Sequence, residues 1–300
     1  MKDVQGRVAV VTGGASGIGR GMAESFAAAG MKLVLADVEE EALQKTAEAI
    51  RAGSGESAGV EVLAVPTDVS QAEQVEALAR RTLDAFGAVH VLCNNAGVAV
   101  GGVPTWESTL DDWNWILGVN LMGVVHGIRS FVPILIEQGE EGHVVNTASI
   151  AGLMVNGGNA LYGVTKHAVV ALSESMHIQL QTSGPKVKVS VLCPGFIRTR
   201  ILESERNRPA ELAETKPIPD TPLADSARKM GRQFVEQGLD PREVGDLVLR
   251  AIREERFYVL THTGPIWKGT IQQRMENILA ERDPEPPLQE HLAELLEDRG

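Results

Sequence analysis

The chain has 300 residues and a formal net charge of −12 at neutral pH, and 43% of its residues are hydrophobic. That length can bury a large core as one α/β domain or as two smaller domains, and the hydrophobic share is typical of globular proteins. The acidic balance argues against nucleic acid or anionic lipid as a partner, because both bind basic surfaces. No uninterrupted apolar run approaches the roughly 20 residues that span a bilayer.

The N-terminus, MKDVQGRVAVVTGG, lacks the charged region, apolar stretch and small-residue cleavage site of a secretory signal. We therefore expect a cytoplasmic protein. Cys93 and Cys193 each end an apolar run, VHVLC and VSVLC, and we interpret them as buried, inert thiols. No histidine pairs with a second ligand at the spacing of a metal site, so no metal is expected.

Short apolar segments alternate with helical patterns along most of the chain. The predicted strands lie at 7–12, 32–36, 60–65, 89–93, 144–147, 187–193 and 257–261, and the predicted helices at 22–29, 39–51, 71–86, 110–136, 160–181 and 241–253. The strands lack polar alternation, as expected when helices cover both faces of a parallel sheet. The pattern predicts a single Rossmann-like α/β domain, a doubly wound parallel sheet of about seven strands with helices on both faces.

The regular pattern ends after Thr199. Residues 200–238 mix Pro, Glu, Arg and Asp with short apolar groups, and we interpret 196–238 as a mobile substrate lid. From Gly264 onward the chain forms an extension, in which one helical stripe is predicted at Leu288, Leu292, Leu295 and Leu296. The predicted division is therefore a catalytic domain at 1–263 and an extension at 264–300 that covers the pocket or a neighbouring subunit.

Several side chains near the lid bear on the substrate. An apolar pocket is predicted from Leu153, Met154, Phe196, Ile201 and Leu202. Four lid arginines either grip an anion or belong to a solvated loop, namely Arg198, Arg200, Arg206 and Arg208. Three tryptophans either pack in the core or an interface, or form an aromatic wall for a ring-bearing substrate, namely Trp106, Trp113 and Trp115. His262, beside the last strand, is a candidate for the pocket rim, whereas helical His126, His167 and His177 are expected to pack or to face solvent.

Glycines between the first strand and the first helix indicate a dinucleotide site. Gly13, Gly17 and Gly19 permit a tight turn, and the helix N-terminus that follows offers free N–H groups to a pyrophosphate. Asp37 ends the second strand eighteen residues after Gly19, close to the ~20 expected for a carboxylate that binds ribose. The simpler alternatives are a tight turn without a ligand, and Asp37 as the N-cap of the next helix.

The residues around Asp37 also indicate which dinucleotide binds. A carboxylate accepts hydrogen bonds from both ribose hydroxyls and repels a 2′-phosphate. The segment 38–41, VEEE, offers no Arg or Lys to receive that phosphate, and Ser16 before Gly17 is uncharged. NAD is therefore expected in preference to NADP.

A second constellation suits proton transfer. Tyr162 and Lys166 lie four residues apart on a predicted helix, so their side chains share a face, and Ser149 follows the fifth strand. A tyrosine titrates near ~10, and an ammonium one turn away favours the phenolate. With Ser149 holding a substrate oxygen against the tyrosine, the three groups suit proton exchange with an alcohol or carbonyl. The Tyr-x-x-x-Lys spacing alone also occurs in ordinary amphipathic helices.

Together, these motifs resemble those of the short-chain dehydrogenase/reductase family over about residues 5–262. In chain order they are T-G-x-x-x-G-x-G from Thr12 to Gly19, Asp68-Val69, Asn94-Asn95-Ala96-Gly97, Asn120, Ser149, Tyr162-x-x-x-Lys166, and Pro194-Gly195 with Thr199. The glycine spacing is similar to that of the oxidoreductase branch, and differs from that of the epimerase and dehydratase branch.

The resemblance implies a role for each of these residues. Tyr162 would be the general acid/base, Lys166 would lower its pKa and hold the nicotinamide ribose, and Ser149 would orient the substrate oxygen. Asn120 would hold a water that links Lys166 to solvent. The cofactor cleft would be lined by Gly13, Ser16, Gly17, Ile18 and Gly19 at the pyrophosphate, Asp37 at the ribose, Asp68 and Val69 at the adenine, Asn95, Ala96 and Gly97 along the cleft, and Pro194, Gly195, Ile197 and Thr199 toward the carboxamide.

The sequence thus predicts an NAD-dependent dehydrogenase that moves a hydride between a hydrophobic secondary alcohol or ketone and the nicotinamide. The FYVLTH motif, the acidic extension and the NRP of the lid resemble a subgroup that includes dehydrogenases of bulky aryl alcohols from lignin breakdown. The family also implies a homodimer or homotetramer through the helices that carry Asn120 and Tyr162. The alternatives are an NADPH-dependent carbonyl reductase and a non-catalytic nucleotide-sensing protein on the same fold.

Overall fold

A computed structural model describes residues 1–53, 59–100, 102–155, 157–216 and 222–285. The strands are β1 (Val8–Thr12), β2 (Lys32–Asp37), β3 (Val62–Pro66), β4 (Val91–Asn94), β5 (Gly142–Thr147), β6 (Val187–Cys193) and β7 (Tyr258–Leu260). Within the described residues they form one parallel sheet in the order β3-β2-β1-β4-β5-β6-β7. The predicted seven-stranded parallel sheet is confirmed.

Helices cover both faces of this sheet. They are α1 (Gly17–Ala28), α2 (Glu40–Gly53), α3 (Ala72–Phe86), α4 (Leu110–Leu117), α5 (Gly123–Glu137), α6 (Ala160–Ser183), α7 (Pro222–Glu236), α8 (Pro241–Glu254) and α9 (Pro265–Leu279). Ala9 and Val11 of β1 pack in the core layer of α1, α2 and α8, whereas Val8 and Val10 pack in the layer of α3 and α5. Burial on both faces explains why the strand carries no polar alternation.

The order of the strands places a crevice between β1 and β4. The chain runs from β1 outward through β2 to β3, and then returns to the other side of β1 with β4. In an open α/β sheet, ligands bind beyond the carboxyl ends of the strands at such a reversal. The glycine motif after β1 and the Asn-Asn-Ala-Gly motif after β4 therefore face each other across the crevice.

The predicted helix at 110–136 is not uniform. It divides into α4 and α5 around a π-helical turn at Gly118–Met122, with the buried Asn120 at the middle of that turn. Among the described residues, Leu110–Glu137 is the one helical segment with the length and apolar content to cross a membrane. Core helices of soluble proteins meet the same criterion, and Val124, Phe131 and Leu135 of this segment are buried in the core.

The lid contains more regular structure than the sequence predicts. It has short 3₁₀ turns at Ile201–Asn207 and Ala210–Leu212, and helix α7 follows. The extension begins with α9, whose Trp267 is buried against Met154 and Phe234. The predicted leucine stripe at 288–296 lies outside the described residues, and the division of the chain at residue 263 stays a prediction.

Candidate active site

The loop after β1 is shaped to receive an anion. Gly13 has a φ of +67°, and a Cβ there would lie 2.9 Å from the Cα of Ala96. A Cβ on Gly19 would lie 2.0 Å from the carbonyl oxygen of Gly13, so the loop packs directly on the first turn of α1. Ser16 at the N-cap makes no side-chain capping bond, and the first turn has no acidic residue. Its N–H groups therefore remain available to a phosphate.

Hydrogen bonds tie the loop after β4 to the glycine loop. The hydroxyl of Thr12 accepts from the backbone N–H groups of Asn95 at 2.9 Å and Ala96 at 3.1 Å. The amide of Asn95 donates to the carbonyl oxygen of Thr12 at 2.9 Å, and its Oδ1 accepts from Thr147 at 3.3 Å. This network fixes the width of the crevice between β1 and β4.

Asp37 lies at the carboxyl end of β2, on the wall of the same crevice. Its Oδ2 accepts from the N–H of Ala15 at 3.0 Å, and its Oδ1 accepts from the N–H of Glu39 at 3.1 Å. Burial raises the pKa of Asp37, against the lowering effect of these two backbone hydrogen bonds. Each carboxylate oxygen retains a lone pair for a ribose hydroxyl.

Tyr162, Lys166 and Ser149 meet at the carboxyl ends of β5 and β6. Lys166 is 3% exposed, its Nζ donates to the carbonyl oxygen of Thr147 at 3.0 Å, and it lies 5.4 Å from the centre of the Tyr162 ring. The Ser149 hydroxyl donates to the carbonyl oxygen of Pro194 at 3.3 Å and also hydrogen-bonds the Tyr162 side chain. The predicted triad is thus brought together in one place.

Burial controls the protonation of this triad. It lowers the pKa of Lys166 from an ordinary 10.5 to about 8. Burial also raises the pKa of Tyr162, and the hydrogen bond from Ser149 only partly opposes that effect. The lowered tyrosine pKa predicted from the Tyr-x-x-x-Lys spacing is therefore not found in the protein itself. The physical reason is that a buried phenol loses its hydration on ionising, and the hydrogen bond from Ser149 offsets only part of that loss.

Asn120 is buried and holds the loop after β4 by hydrogen bonds. Its Oδ1 accepts from the N–H of Val98 at 2.8 Å, and its Nδ2 donates to Val98 O at 2.9 Å and Thr165 Oγ1 at 3.2 Å. The side chain thereby fixes the loop that leads away from Gly97, one layer behind the cavity wall. A role in holding water beside Lys166 stays a prediction.

One cavity of about 580 Å³ joins these groups. Of the predicted site residues, two do not line it, namely Gly19 and Asn120. The others all do, namely Gly13, Ser16, Gly17, Ile18, Asp37, Asp68, Val69, Asn95, Ala96, Gly97, Ser149, Tyr162, Lys166, Pro194, Gly195, Ile197 and Thr199. The cavity therefore runs from the carboxylate of Asp37, past the glycine loop, to the hydroxyl of Tyr162.

The far end of the cavity is apolar. It is lined by Trp115, Ile150, Met154, Phe196, Ile201, Leu202, Leu212, Val235 and Trp267. Trp267, from the extension, was not anticipated from the sequence, because nothing local links residue 267 to a pocket formed by β5, β6 and the lid. Trp115 supports the aromatic-wall interpretation, whereas Trp106 is 85% exposed and does not line the cavity.

Two candidates for the substrate pocket were wrong. His262 is 7% exposed and lies beneath Gly195, where a Cβ would come within 2.6 Å of the histidine Nδ1. It supports the cavity floor and does not rim the pocket. Leu153 packs beside Met154 and Trp267 but does not line the cavity. In both cases the chain continues past the strand end in a direction that the sequence pattern does not reveal.

The four lid arginines are each paired with a carboxylate. Arg198 contacts Asp240, Arg200 and Arg206 both contact Glu39, and Arg208 contacts Asp112 and Glu205. These four side chains are therefore neither unpaired cations available to a substrate anion nor unpaired side chains of a solvated loop. Apart from Glu205, which lies within the lid, these partners are distant in sequence, and the pairs with Asp240, Glu39 and Asp112 fasten the lid to the body of the domain.

The Arg208–Asp112 pair is the most deeply buried of these. The side chains are 6% and 1% exposed, and Nη2 lies 2.8 Å from Oδ1 as an ion pair rather than a well-directed hydrogen bond. The guanidinium also stacks over Trp115 at 5.0 Å and donates to the carbonyl oxygen of Leu212. Arg208 thus connects the lid to α4 at the apolar end of the cavity.

Replacing Arg208 with Met is expected to lower the free energy of unfolding by about 3 kcal/mol, because it leaves the Asp112 charge buried without a partner. Urea denaturation of both proteins measures this difference. Arg198→Met, which breaks an exposed pair, is the matched control and should cost below about 1 kcal/mol. Adding Asp112→Asn should restore part of the loss, and a double variant no more stable than Arg208→Met would contradict the ion-pair explanation.

Comparison with known proteins gives the family. A sequence model described as short chain dehydrogenase matches residues 7–210. The chain belongs to the short-chain dehydrogenase/reductase family. A solved member from Burkholderia phymatum, in complex with NAD, is 47% identical and superposes with a TM-score of 0.89 over 96% of this chain and 100% of that one.

Two relatives in this family match almost the whole chain. A CLA biosynthesis dehydrogenase/reductase from Lactiplantibacillus plantarum is 34% identical over 95% of this chain and 97% of its own length. A Cα-dehydrogenase from Sphingobium sp. strain SYK-6 is 32% identical over 95% of this chain and 91% of its own length. The chain is therefore a family oxidoreductase along nearly its full length, with the lid and the first part of the extension included.

Proposed function

We propose that this short-chain dehydrogenase is an NAD-dependent oxidoreductase of hydrophobic secondary alcohols and ketones, with Tyr162 as general acid/base. The observation that carries the proposal is the continuous cavity that joins Asp37 and the glycine loop at one end to Ser149, Tyr162 and Lys166 at the other. A dinucleotide that bridges those two ends reaches the proton-transfer groups with its nicotinamide.

The cavity fits such a dinucleotide on its own chemistry. Backbone N–H groups at the start of α1 face the crevice without a capping side chain, and Gly13 and Gly17 leave no side chain in the path of a pyrophosphate. Bound there, NAD⁺ would accept a hydride from the carbinol carbon. The protein then has one task at the reacting centre, which is to hold the substrate oxygen and to move one proton.

Tyr162 performs that proton transfer in the proposed mechanism. Its phenolate oxygen takes the proton of the alcohol during oxidation, and its hydroxyl donates a proton to the carbonyl oxygen during reduction. Ser149 orients the same oxygen, because its hydroxyl already lies in hydrogen-bond contact with the tyrosine. The ammonium of Lys166 stabilises the phenolate electrostatically, at a position fixed by its bond to Thr147.

The preference for NAD over NADP rests on Asp37. Its carboxylate lines the cavity, where its negative charge would repel a 2′-phosphate, and burial raises its pKa. The similar Burkholderia phymatum protein binds NAD. That relationship supports the same cofactor here.

The substrate is proposed to be an apolar molecule with a secondary alcohol or ketone. Aliphatic and aromatic side chains from four parts of the chain line the cavity that contains Tyr162, and Trp115 and Trp267 are among them. A relative at 32% identity is a Cα-dehydrogenase. Because two tryptophans line the cavity, aryl secondary alcohols are the first compounds to test.

A homodimer or homotetramer in the cytoplasm completes the proposal. Met122, Val164 and Ile178 are exposed apolar side chains on the π turn before α5 and on α6, 40%, 50% and 60% exposed respectively. Surfaces of that kind support subunit contacts through the helices that carry Asn120 and Tyr162. Nucleic acid and membrane lipid are not proposed as partners, because the chain carries a net charge of −12.

A panel of aryl, terpenoid and steroid alcohols, assayed with NAD⁺ and NADP⁺ at alkaline pH, tests the proposal. We expect NADH formation with at least one hydrophobic secondary alcohol, and a kcat/KM at least about tenfold higher with NAD⁺, a difference of about 1.4 kcal/mol. A higher kcat/KM with NADP⁺ would instead support a carbonyl reductase. Tight NADH binding without turnover across the panel would support a nucleotide-sensing protein.

A further inference from the structure

We propose that Glu39 is a cofactor-specificity residue that acts by occupying two lid arginines. In its absence these arginines would bind the 2′-phosphate of NADP. The inference deepens the proposed function, since it rests on the preference for NAD. It concerns a carboxylate two residues beyond Asp37, for which the family resemblance implies no role.

Glu39 is held by three side chains of the lid. Its carboxylate accepts from Arg200 Nη2 at 3.0 and 3.2 Å, from Arg206 Nη2 at 2.7 Å and Nε at 3.1 Å, and from Asn207 Nδ2 at 3.1 Å. Partial burial raises the pKa of Glu39, but the hydrogen bonds from Arg206, Asn207 and Arg200 outweigh that effect and lower it to about 2. Glu39 is therefore ionised at any pH at which the enzyme is assayed.

The cluster lies at the ribose end of the cavity. Asp37, Glu39, Arg200, Arg206 and Asn207 all line the same cavity, and the Glu39 N–H donates to Asp37 Oδ1 at 3.1 Å. NAD and NADP differ only at the ribose 2′ position, and that ribose is the part of the dinucleotide that a carboxylate at the end of the second strand binds. Two guanidinium groups thus lie beside the one place where a phosphate would distinguish the two cofactors.

The charges in this corner cancel while Glu39 is ionised. Glu39 pairs with both Arg200 and Arg206, and the Asp37 carboxylate lines the same cavity, so this corner holds two carboxylates and two guanidinium groups. Arginine presents a planar fork of N–H donors that matches a phosphate as well as a carboxylate. Without the charge of Glu39, the net charge of this corner becomes positive. The N–H donors of both guanidinium groups are then available to a ligand in the cavity.

The sequence alone conceals this arrangement. The segment after Asp37 contains no basic residue, and the two arginines lie 161 and 167 residues from Glu39 along the chain. On the sequence alone, the absence of a nearby Lys or Arg favours NAD. The structure shows that cations do reach this corner, and that Glu39 is what neutralises them.

The experiment measures the dissociation constants of NADH and NADPH by fluorescence titration, for the wild type and for Glu39→Gln. This readout needs no alcohol substrate. We expect the ratio of the NADPH constant to the NADH constant to fall at least tenfold in Glu39→Gln, mainly through tighter NADPH binding. A ratio that changes less than twofold would overturn the proposal.

Asp240→Asn is the matched control. It removes the same charge and releases another lid arginine, Arg198, whose Nη2 lies 2.5 Å from Asp240 Oδ2. Neither residue lines the cavity. Asparagine also preserves the capping role of Asp240 at α8, where the side chain accepts from the N–H of Arg242. The ratio of constants should change less than twofold in this variant, and a tenfold change would refute a local effect at the ribose.

A double variant, Glu39→Gln with Arg206→Leu, should lose most of the gain in NADPH binding, and retention of the full gain would overturn the proposal. Should Glu39→Gln not fold, Arg206→Leu in the otherwise native chain is the second test. It leaves the Glu39 charge less neutralised and is expected to weaken NADPH binding at least threefold more than NADH binding. A wild type that binds NADPH more tightly would refute the proposed cofactor preference, while the effect of Glu39→Gln would still decide the role of Glu39.

Discussion

Replacing Tyr162 with Phe is expected to lower kcat by about 10³-fold, within the range that loss of a general acid/base produces. The ring remains, so the packing against Ser149 and Lys166 is preserved. The hydroxyl is lost, and with it the group that exchanges a proton with the substrate oxygen. The dissociation constant of NADH should change less than about twofold, because the glycine loop and Asp37 lie at the other end of the cavity.

The chain offers a matched control for this variant. Its second tyrosine, Tyr258, lies on β7 with 48% exposure, and its hydroxyl donates to Glu174 at 2.6 Å outside the cavity. Tyr258→Phe removes the same atom and should leave kcat and the NADH constant unchanged. Residual turnover of Tyr162→Phe above about a tenth of the wild-type rate would contradict the assigned acid/base. A large fall in NADH affinity would place Tyr162 primarily in cofactor binding.

Continuity of apolar residues was sufficient to predict the sheet. RVAVVT, KLVLA and VSVLC have no polar alternation, which in a chain without repeats implies strands covered on both faces. The alternation of strands and helices predicted a doubly wound parallel sheet, whereas the strand order is known only from the structure. The two cysteines are buried and free, as predicted, and burial raises the pKa of both thiols.

Several residues of the candidate site were predictable because they follow directly from strand ends. Ser149 comes after β5, Asp37 ends β2, and Pro194 follows β6, so one edge of the sheet collects them. The family motif identified Asn120, but the sequence did not predict the π turn that surrounds it. The π turn that buries it adds one residue to a helical turn, and no propensity pattern marks such an insertion.

What the sequence could not supply are contacts between distant segments. Arg208 finds its carboxylate on α4, and Arg206 finds Glu39 after β2, each across more than ninety residues. Trp267 reaches the apolar end of the cavity from beyond the last strand. A charge run or a lone tryptophan in a loop carries no information about its partner, since tertiary packing determines that choice.

The direction in which the Tyr162 pKa shifts also could not be predicted from the sequence. The four-residue spacing correctly predicts that Lys166 lies near the ring, at 5.4 Å from its centre. The spacing gives no information about the desolvation of Tyr162 or Lys166, because desolvation depends on every element that packs around them. Among the described residues, Lys166 has no carboxylate partner and instead donates to a backbone carbonyl. The buried charge is therefore a cost to the folded protein.

Lys166→Met is consequently expected to produce an enzyme that is more stable and nearly inactive. The Lys166 pKa falls from 10.5 to about 8 on folding, and a difference of that size corresponds to about 3 kcal/mol of destabilisation at neutral pH. The variant loses the bond to Thr147 O, and an unpaired buried acceptor costs about 1–2 kcal/mol. Methionine fills a similar volume, so the free energy of unfolding at pH 7 should rise by about 1–2 kcal/mol. Activity should fall at least about 10²-fold, because the phenolate loses its stabilising charge.

The pH dependence of the stability difference distinguishes burial of the Lys166 charge from a simple change in packing. Below about pH 8 the lysine is charged in both states, and the full cost of burying the charge is present. Between about 8 and 10.5 the unfolded chain holds the proton and the folded chain does not, so the wild type gains stability as the pH rises through that window. Urea denaturation at pH 7 and pH 10 should therefore show the advantage of Lys166→Met shrinking toward pH 10. Lys45→Met, at an exposed lysine paired with Glu41, should show no such convergence. A variant less stable than the wild type at pH 7, or a difference independent of pH, would show that the lysine is not buried as a charge.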